Sequence, residues 1–463
     1  MNKSDSSIYY PPGPKQKLPL FLFLNFLRNP IGVLVDISKY GDISHFKFGT
    51  QHVYFLNHPD YIRDVLVTYN NSFIKSRGLQ VAKKVVGEGL LTSEGSLHHD
   101  QRQLLQPAFH QDRLRIYAAT MTEHILRMCN RWEDNDTIDV HKEFMQLTLA
   151  IVCKALFSFD IESETKEIGK HVTTLVEYFN RARMPLVHVI EKLPLPNNRR
   201  FRYAKEQLDA IIYRIINDHH KMRIANETSF FTDDNHHDDL ISTLRASNNF
   251  GSSGSYITPN LERDNVMTIF LAGHETVANA LTWTFYLLTQ NNREEDKLHE
   301  EVDSVLCQDL PPTTADIPKL DYTEKVFAES MRLYPPAWAV GRQAIRDCKI
   351  GEYTIPAGST VLMSQYLIHR DPRFFPEPER FNPERWNIDR RTNLPRFSYF
   401  PFGGGPRSCI GEPFAWTEGI LAIAIIARKW KMKLESGHQI ALKPLVTLRP
   451  KYGMRMKLIQ RNA

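Results

Sequence analysis

The stretch Asn265–Leu288, NVMTIFLAGHETVANALTWTFYLL, is apolar nearly all the way round a helical wheel. A helix with one apolar stripe can lie on a surface, but one without a polar face must be enclosed on every side. It holds too many polar residues to be a membrane span, so the enclosure has to be protein. A chain of 463 residues, 42% hydrophobic and 24% charged, has the material for such a core.

The rest of the chain arranges itself around that helix. From about Asp100 to Lys297 apolar residues recur at three- and four-residue spacing, as in RLRIYAATMTEHILRMCNRW, and predict helices. His45–Pro59, aromatic and β-branched with a central Gly-Thr, predicts a hairpin. The last third is rich in proline, with short strand-like pieces such as GSTVLMS and one further apolar helix, Phe414–Trp430. Helices first and short strands later, without βαβ alternation, predict a mostly α (α+β) fold in a single domain over 1–463. Residues 226–260, rich in Asp, Asn, Ser, His and Gly, read as a mobile linker with one short helical candidate, Asp238–Leu244.

Three function classes lose support early. A net charge of +5 without a long basic run argues against nucleic-acid binding. Five scattered cysteines (Cys129, Cys153, Cys307, Cys348, Cys409) form no disulfide framework and suit a reducing, cytoplasmic setting. The N-terminal entry segment, 1–28, contains the apolar run LPLFLFLNFL, which is shorter than the ~20 residues a transmembrane helix needs. It reads as a surface helix packed on the body, with peripheral membrane contact as the alternative.

Chemistry concentrates in FGGGPRSCIG, Phe402–Gly411. A phosphate loop fails here, because Pro406 follows the third glycine and has no N–H to offer. A thiolate mount accounts for the composition. Cys409 stands just before an apolar helix, where dipole and free N–H groups favour the anion. Glycines allow close backbone approach, and Arg407 offers a fork of donors for a carboxylate.

The spacing Phe402-x-x-Gly405-x-Arg407-x-Cys409-x-Gly411 resembles the haem-binding loop of the cytochrome P450 superfamily, and the likeness runs from PPGPK to LRPKYGMRMKL. Arg407, AGHET and the length look closer to the fatty-acid-hydroxylase and microsomal-like branch. The resemblance implies haem b with Cys409 as axial ligand to the iron, and Phe402 and Gly411 around it. It implies a structural triad of Glu329, Arg332 and Arg385, from AESMRLYPP and FNPERW. Without the family pattern Glu329–Arg332 is only an i,i+3 pair, and Glu377–Arg380 has the same spacing.

In AGHET, Ala272 and Gly273 would leave room for dioxygen, with Glu275 as proton-relaying acid and Thr276 as hydroxyl. Read without the family, Thr276 simply bonds back to the i−4 carbonyl. His274 is a helix or water contact. Arg102, Arg342 and Arg407 would meet the haem carboxylates, and His98 stands where the family usually has tryptophan. His369 is either near the haem or structural. An apolar pocket would be lined by Val85, Phe270, Ala272, Ala337, Val340 and Val446, suiting a fatty acid, terpenoid or steroid-like substrate.

The implied activity is a monooxygenase fed with electrons by a separate ferredoxin or flavodoxin and a reductase. RKWKMK, Arg428–Lys433, is either a basic docking face for that partner or a solvated strand end. A peroxide-driven hydroxylase, an isomerase needing no reductase and a non-catalytic haem sensor are the rivals, and the intact Glu275–Thr276 pair argues against them.

Overall fold

The computed structural model describes residues 9–15, 19–181, 193–227, 239–246, 257–306, 311–387 and 392–461. In chain order the first elements are α1 (Pro19–Arg28), α2 (Pro30–Ser38), β1 (Ile43–Phe48), β2 (Gln51–Leu56) and β3 (Phe73–Lys75). Then come α3 (Gly95–Leu105), α4 (Gln111–Asn130), β4 (Thr137–Asp139), α5 (Val140–Phe157), α6 (Thr165–Arg181), α7 (Pro196–Glu227) and α8 (Leu240–Ala246). The central helices are α9 (Pro259–Gln290), α10 (Asn292–Val305) and α11 (Asp321–Leu333). Short strands follow: β5 (Val340–Ala344), β6 (Cys348–Ile350), β7 (Tyr353–Ile355) and β8 (Thr360–Met363). The chain closes with α12 (Glu412–Lys429), β9 (Trp430–Leu434), β10 (Leu442–Pro444), β11 (Leu448–Pro450) and β12 (Arg455–Gln460). The mostly helical class expected from the sequence is what forms.

Contacts divide the chain into two compact units, each discontinuous in sequence. One comprises Met1–Gln80, Ala337–Arg380 and Ile388–Cys409; the other comprises Val81–Pro336, Phe381–Asn387 and Ile410–Ala463.

The first unit is built on a five-stranded sheet of order β1-β2-β8-β5-β3. The predicted hairpin is β1–β2, paired antiparallel from Ile43↔Leu56 to Phe48↔Gln51. β2 then takes β8 as a parallel neighbour, with Val53 opposite Thr360. Val53, Tyr54, Phe55 and Leu56 are all buried, which marks a strand covered on both faces. α1 packs on β1, with Phe23 and Phe26 each within 5.5 Å of the Phe48 ring, while Leu24 stays exposed. Among the described residues no helix is long and apolar enough to cross a membrane.

The second unit encloses α9. Its start is set by Thr258, whose hydroxyl accepts from Leu261 N, with Pro259 at the first position. α9 crosses α5 and also packs on α11 and α12. Trp283 is fully buried, stacked on Tyr334 with centroids 4.3 Å apart, and its indole N–H donates to the Leu448 carbonyl at 2.9 Å. β9, β12 and β4 form a second sheet, and β10–β11 a hairpin. Within the expected linker, the helix runs Leu240–Ala246 rather than Asp238–Leu244, because Asp239 is its cap: its carboxylate accepts from Ser242 N at 2.9 Å. Residues 228–238 and 247–256 of the linker, and Cys307, lie outside the described residues.

Candidate active site

The cysteine loop belongs to the first unit. Cys409 is an exposed free thiol at the end of a turn that its own N–H closes by donating to the Phe402 carbonyl at 2.9 Å. Gly403 and Gly405 take φ of +73° and +68°. A Cβ on Gly405 would sit 1.9 Å from the Leu66 carbonyl oxygen, and one on Gly404 would sit 2.2 Å from the Phe397 ring. Protein packing by itself therefore requires glycine at these two positions, a reason the sequence does not show. His369 Nε2 accepts from Phe400 N at 3.0 Å, so His369 is structural: it anchors the chain entering the loop. Arg407 lies in the single turn Gly405–Arg407, and Arg342 is half-buried on β5. An accessible thiol held by backbone geometry, with two arginines in the same unit, fits a haem with a thiolate ligand and anionic side chains.

The second unit carries the Glu329 cluster, the α3 positions and the AGHET segment. Glu329 and Arg332 pair along α11, with Arg332 Nε at 2.8 Å and Nη2 at 2.9 Å from the carboxylate, both side chains fully buried. Arg385 Nε joins at 3.2 Å. Two donors invisible to motif reasoning complete the shell: Asn382 N and the Trp386 indole N–H, each at 3.0 Å. A buried carboxylate with all its acceptor capacity used is a satisfied network. The decoy pair, Glu377–Arg380, is also formed, at 3.1 Å, but lies exposed to water. His98 is buried and Arg102 half-buried, one turn apart on α3.

On α9 the AGHET segment interrupts the burial. Residues before and after it are enclosed, yet Ala272 is exposed and Leu271, Gly273 and Thr276 are partly so. Ala272 and Thr276, four apart, share one face, and the Thr276 hydroxyl donates to the Ala272 carbonyl at 2.8 Å, the i−4 back-bond that a purely packing role also entails. Gly273 serves a different purpose from the one expected. Its Cβ would meet Val152 Cγ2 of α5 at 2.9 Å, so its smallness admits the neighbouring helix, while the open side belongs to Ala272. His274 is fully buried and kept neutral, its pKa pushed by desolvation to about 4.

Glu275 is buried and turned to β11, where Arg449 Nε donates to Oε1 at 2.6 Å and the Thr447 hydroxyl donates to the same oxygen. Burial pushes this carboxyl up, but the Arg449 charge and these hydrogen bonds outweigh it, and the net direction is down. The acid expected at 275 is thus a carboxylate. Thr447 and Arg449 have no local sequence signal, since they meet Glu275 across the fold, and the Asn279 amide backs Thr447.

The expected pocket residues separate. Ala337 and Val340 are half-buried and Val446 is exposed. Val85 and Phe270 have 0% accessibility, which makes them core rather than wall. In RKWKMK, Lys429 donates to Asn130 at 2.6 Å and Lys431 pairs with Glu295 at 3.0 Å, so these two cationic groups are engaged within the unit.

The comparisons agree with this geometry. The family model described as Cytochrome P450 matches residues 11–457. Cyclooctatin synthase of Streptomyces melanosporofaciens is 38% identical over 425 residues, 91% of this chain and 89% of that protein. Pentalenene oxygenase of Streptomyces avermitilis is 31% identical over 443 residues, 94% of each chain. The solved structure of retinoic acid-bound cyanobacterial CYP120A1 superimposes with a TM-score of 0.84 at 24% identity, covering 98% of this chain and 100% of that one, a likeness of fold. With a cysteine loop, a saturated Glu329 cluster and a central helix open at one face, the chain belongs to the cytochrome P450 family.

Proposed function

We propose that this P450 monooxygenase hydroxylates an apolar terpenoid, using electrons from a separate ferredoxin or flavodoxin and its reductase. The observation that carries the reading is the open face of α9. In a helix otherwise enclosed by side chains, Ala272 and Thr276 give an apolar surface with one hydroxyl, which suits a hydrocarbon that offers no polar handle. The relatives named for cyclooctatin, cyclooctat-9-en-7-ol and pentalenene support the terpenoid class over fatty acids and steroids.

Cys409 would hold the haem iron, and Arg102, Arg342 and Arg407 would neutralise its carboxylates, with His98 as a further donor. The bound haem supplies dioxygen activation, which a thiolate ligand promotes by donating electron density. The chain contributes the rest. Thr276 would present its hydroxyl beside Ala272 on α9, Val446 would add exposed apolar surface in the same unit, and Ala337 and Val340 would offer half-buried apolar surface in the other. We read the chain as one catalytic domain, with the exposed Lys433 of RKWKMK available to an acidic redox partner in the cytoplasm.

Two measurements test this. Cys409→Ala should lose the thiolate-type absorption band of the reduced, carbon-monoxide-bound protein; a variant that keeps the band refutes the ligand assignment. Polycyclic terpene hydrocarbons should shift the spin state of the purified enzyme at lower concentration than fatty acids of similar size. The reverse order overturns the substrate class.

A further inference from the structure

The hydrogen bonds behind α9 all run one way. His141 Nε2, on α5, donates to Asn279 Oδ1 at 3.2 Å; Asn279 Nδ2 donates to Thr447 Oγ1 at 3.1 Å; Thr447 donates to Glu275 Oε1. Arg449 adds Nε to the same oxygen at 2.6 Å, and its Nη1 reaches Thr173 Oγ1 of α6 at 3.4 Å. Every link from His141 through Asn279 and Thr447, and the Arg449 Nε bond, points its proton toward Glu275, so the chain polarises toward an anion. The six side chains of this network come from α5, α6, α9, β11 and the residue just before β11.

The charges facing Glu275 are few. Arg449 faces it from β11, His274 flanks it on α9, and His141 lies beyond Asn279 on α5 with Asp139 beside it. Desolvation pushes both histidines to about 4, so they are neutral under physiological conditions. Among the described residues, Arg449 is left as the one positive charge opposing a fully buried carboxylate. Removing a single partner from such a pair leaves the other group charged without compensation, and a carboxyl answers by taking up a proton.

We propose that Arg449 is a positioning residue for the oxygenation reaction: it fastens Glu275 to β11 as a hydrogen-bond acceptor, so that Thr276 alone presents a proton-bearing group on the open face of α9. This rests on the monooxygenase reading for its role in turnover, but the fastening itself does not. Glu275 takes a proton, from water and on Oε2, only when its hold on Arg449 is released.

The experiment is a pH titration of the holoenzyme by infrared difference spectroscopy with isotope-labelled glutamate, using Glu275→Gln to identify the Glu275 band. In the native protein the band should remain that of a carboxylate throughout the neutral range. In Arg449→Met the protonated form should appear with a midpoint raised by about two pH units or more, the size of shift that burial alone produces. Arg449→Lys should restore the native behaviour. Thr447→Val, which removes one donor and keeps the charge, should give a smaller rise and serves if Arg449→Met does not fold. A native midpoint in both Arg449→Met and Thr447→Val overturns the proposal. In turnover, Arg449→Met should add a pH-dependent inflection in product formed per electron that is lost again in the double variant with Glu275→Gln. A raised midpoint in a protein that forms no product would reject the proposed function while keeping the Arg449 assignment.

Discussion

At the scale of single residues, two glycines of one loop show how one motif position differs from another. Gly403 and Gly405 both have positive φ, but a Cβ on Gly403 meets nothing within 4 Å, whereas on Gly405 it meets the Leu66 backbone at 1.9 Å. Gly403→Ala should therefore cost only the left-handed backbone penalty, about 1–2 kcal/mol. Gly405→Ala adds a clash with a carbonyl that cannot rotate away, for a total of roughly 2–4 kcal/mol. Denaturant midpoints of the two variants compare them directly, and equal losses would refute the packing account of Gly405. Much at this scale was legible beforehand. The loop spacing, the Glu329–Arg332 pair and the Thr276 back-bond are short-range patterns, and the structure forms the pair and the back-bond, whereas Arg385, 56 residues from Glu329, was expected only through the family resemblance. The partners of Glu275 were not legible, because Thr447 and Arg449 lie 172 and 174 residues away and nothing in VTLRPK marks an arginine destined for burial. The acid expected at 275 became a carboxylate for the same reason: a pKa belongs to the neighbours, and the neighbours were not in the motif.

At the scale of elements, the crossing of α5 and α9 organises the second unit. Thr148 of α5 bonds its hydroxyl to the His274 carbonyl at 2.8 Å, and Gly273 brings the two backbones close against Val152. Val152 is β-branched and stiff, so it yields little. Gly273→Ala gains helix propensity, about 1 kcal/mol, but overpacks the crossing by about 1–3 kcal/mol. The expected net is destabilisation, which a pairing with Val152→Ala should relieve. Thermal unfolding of the single and double variants measures it, and additivity would show that the two side chains do not meet. Helix periodicity in the sequence located α9 and α12 well, since both are apolar almost all round and admit no other setting. It could not reveal which glycine served a helix contact and which side of the helix stayed open, because those depend on the partner helix and its crossing point.

For the whole molecule, the buried titratable groups set how stability responds to acid. His45, His141, His274 and His299 are all held down to about 4, chiefly by desolvation. In the unfolded chain each titrates near 6.5, so below that pH the unfolded state binds protons that the native state refuses until about 4. Stability from these groups is fully present above pH 6.5 and is lost as pH falls toward 4. For the deeply buried His141 and His274 the loss approaches about 1.4 kcal/mol per pH unit each. Glu275, with its lowered pKa, adds to the loss at the acid end. Glu418 works in the opposite sense: fully buried and raised by desolvation, it contributes its stability at low pH and gives it up as pH rises through its folded value. Urea unfolding between pH 4 and 7 should show a steep fall on the acid side, and Asn in place of both His141 and His274 should flatten it. An unchanged slope in that double variant would count against the assignment.

The parallel register of β2 against β8 has a further consequence, for synthesis. Val53 pairs with Thr360, so the hairpin that forms early leaves the ribosome with one side of β2 bare until some three hundred more residues have been translated. At translation rates of about 5–20 residues per second that wait lasts roughly 15–60 s. During it, Val53, Tyr54, Phe55 and Leu56, all destined for the interior, offer an unpaired strand to any other nascent chain nearby. Yield on expression should therefore respond to growth temperature and to chaperones that shield the N-terminal hairpin, even where the finished fold is stable.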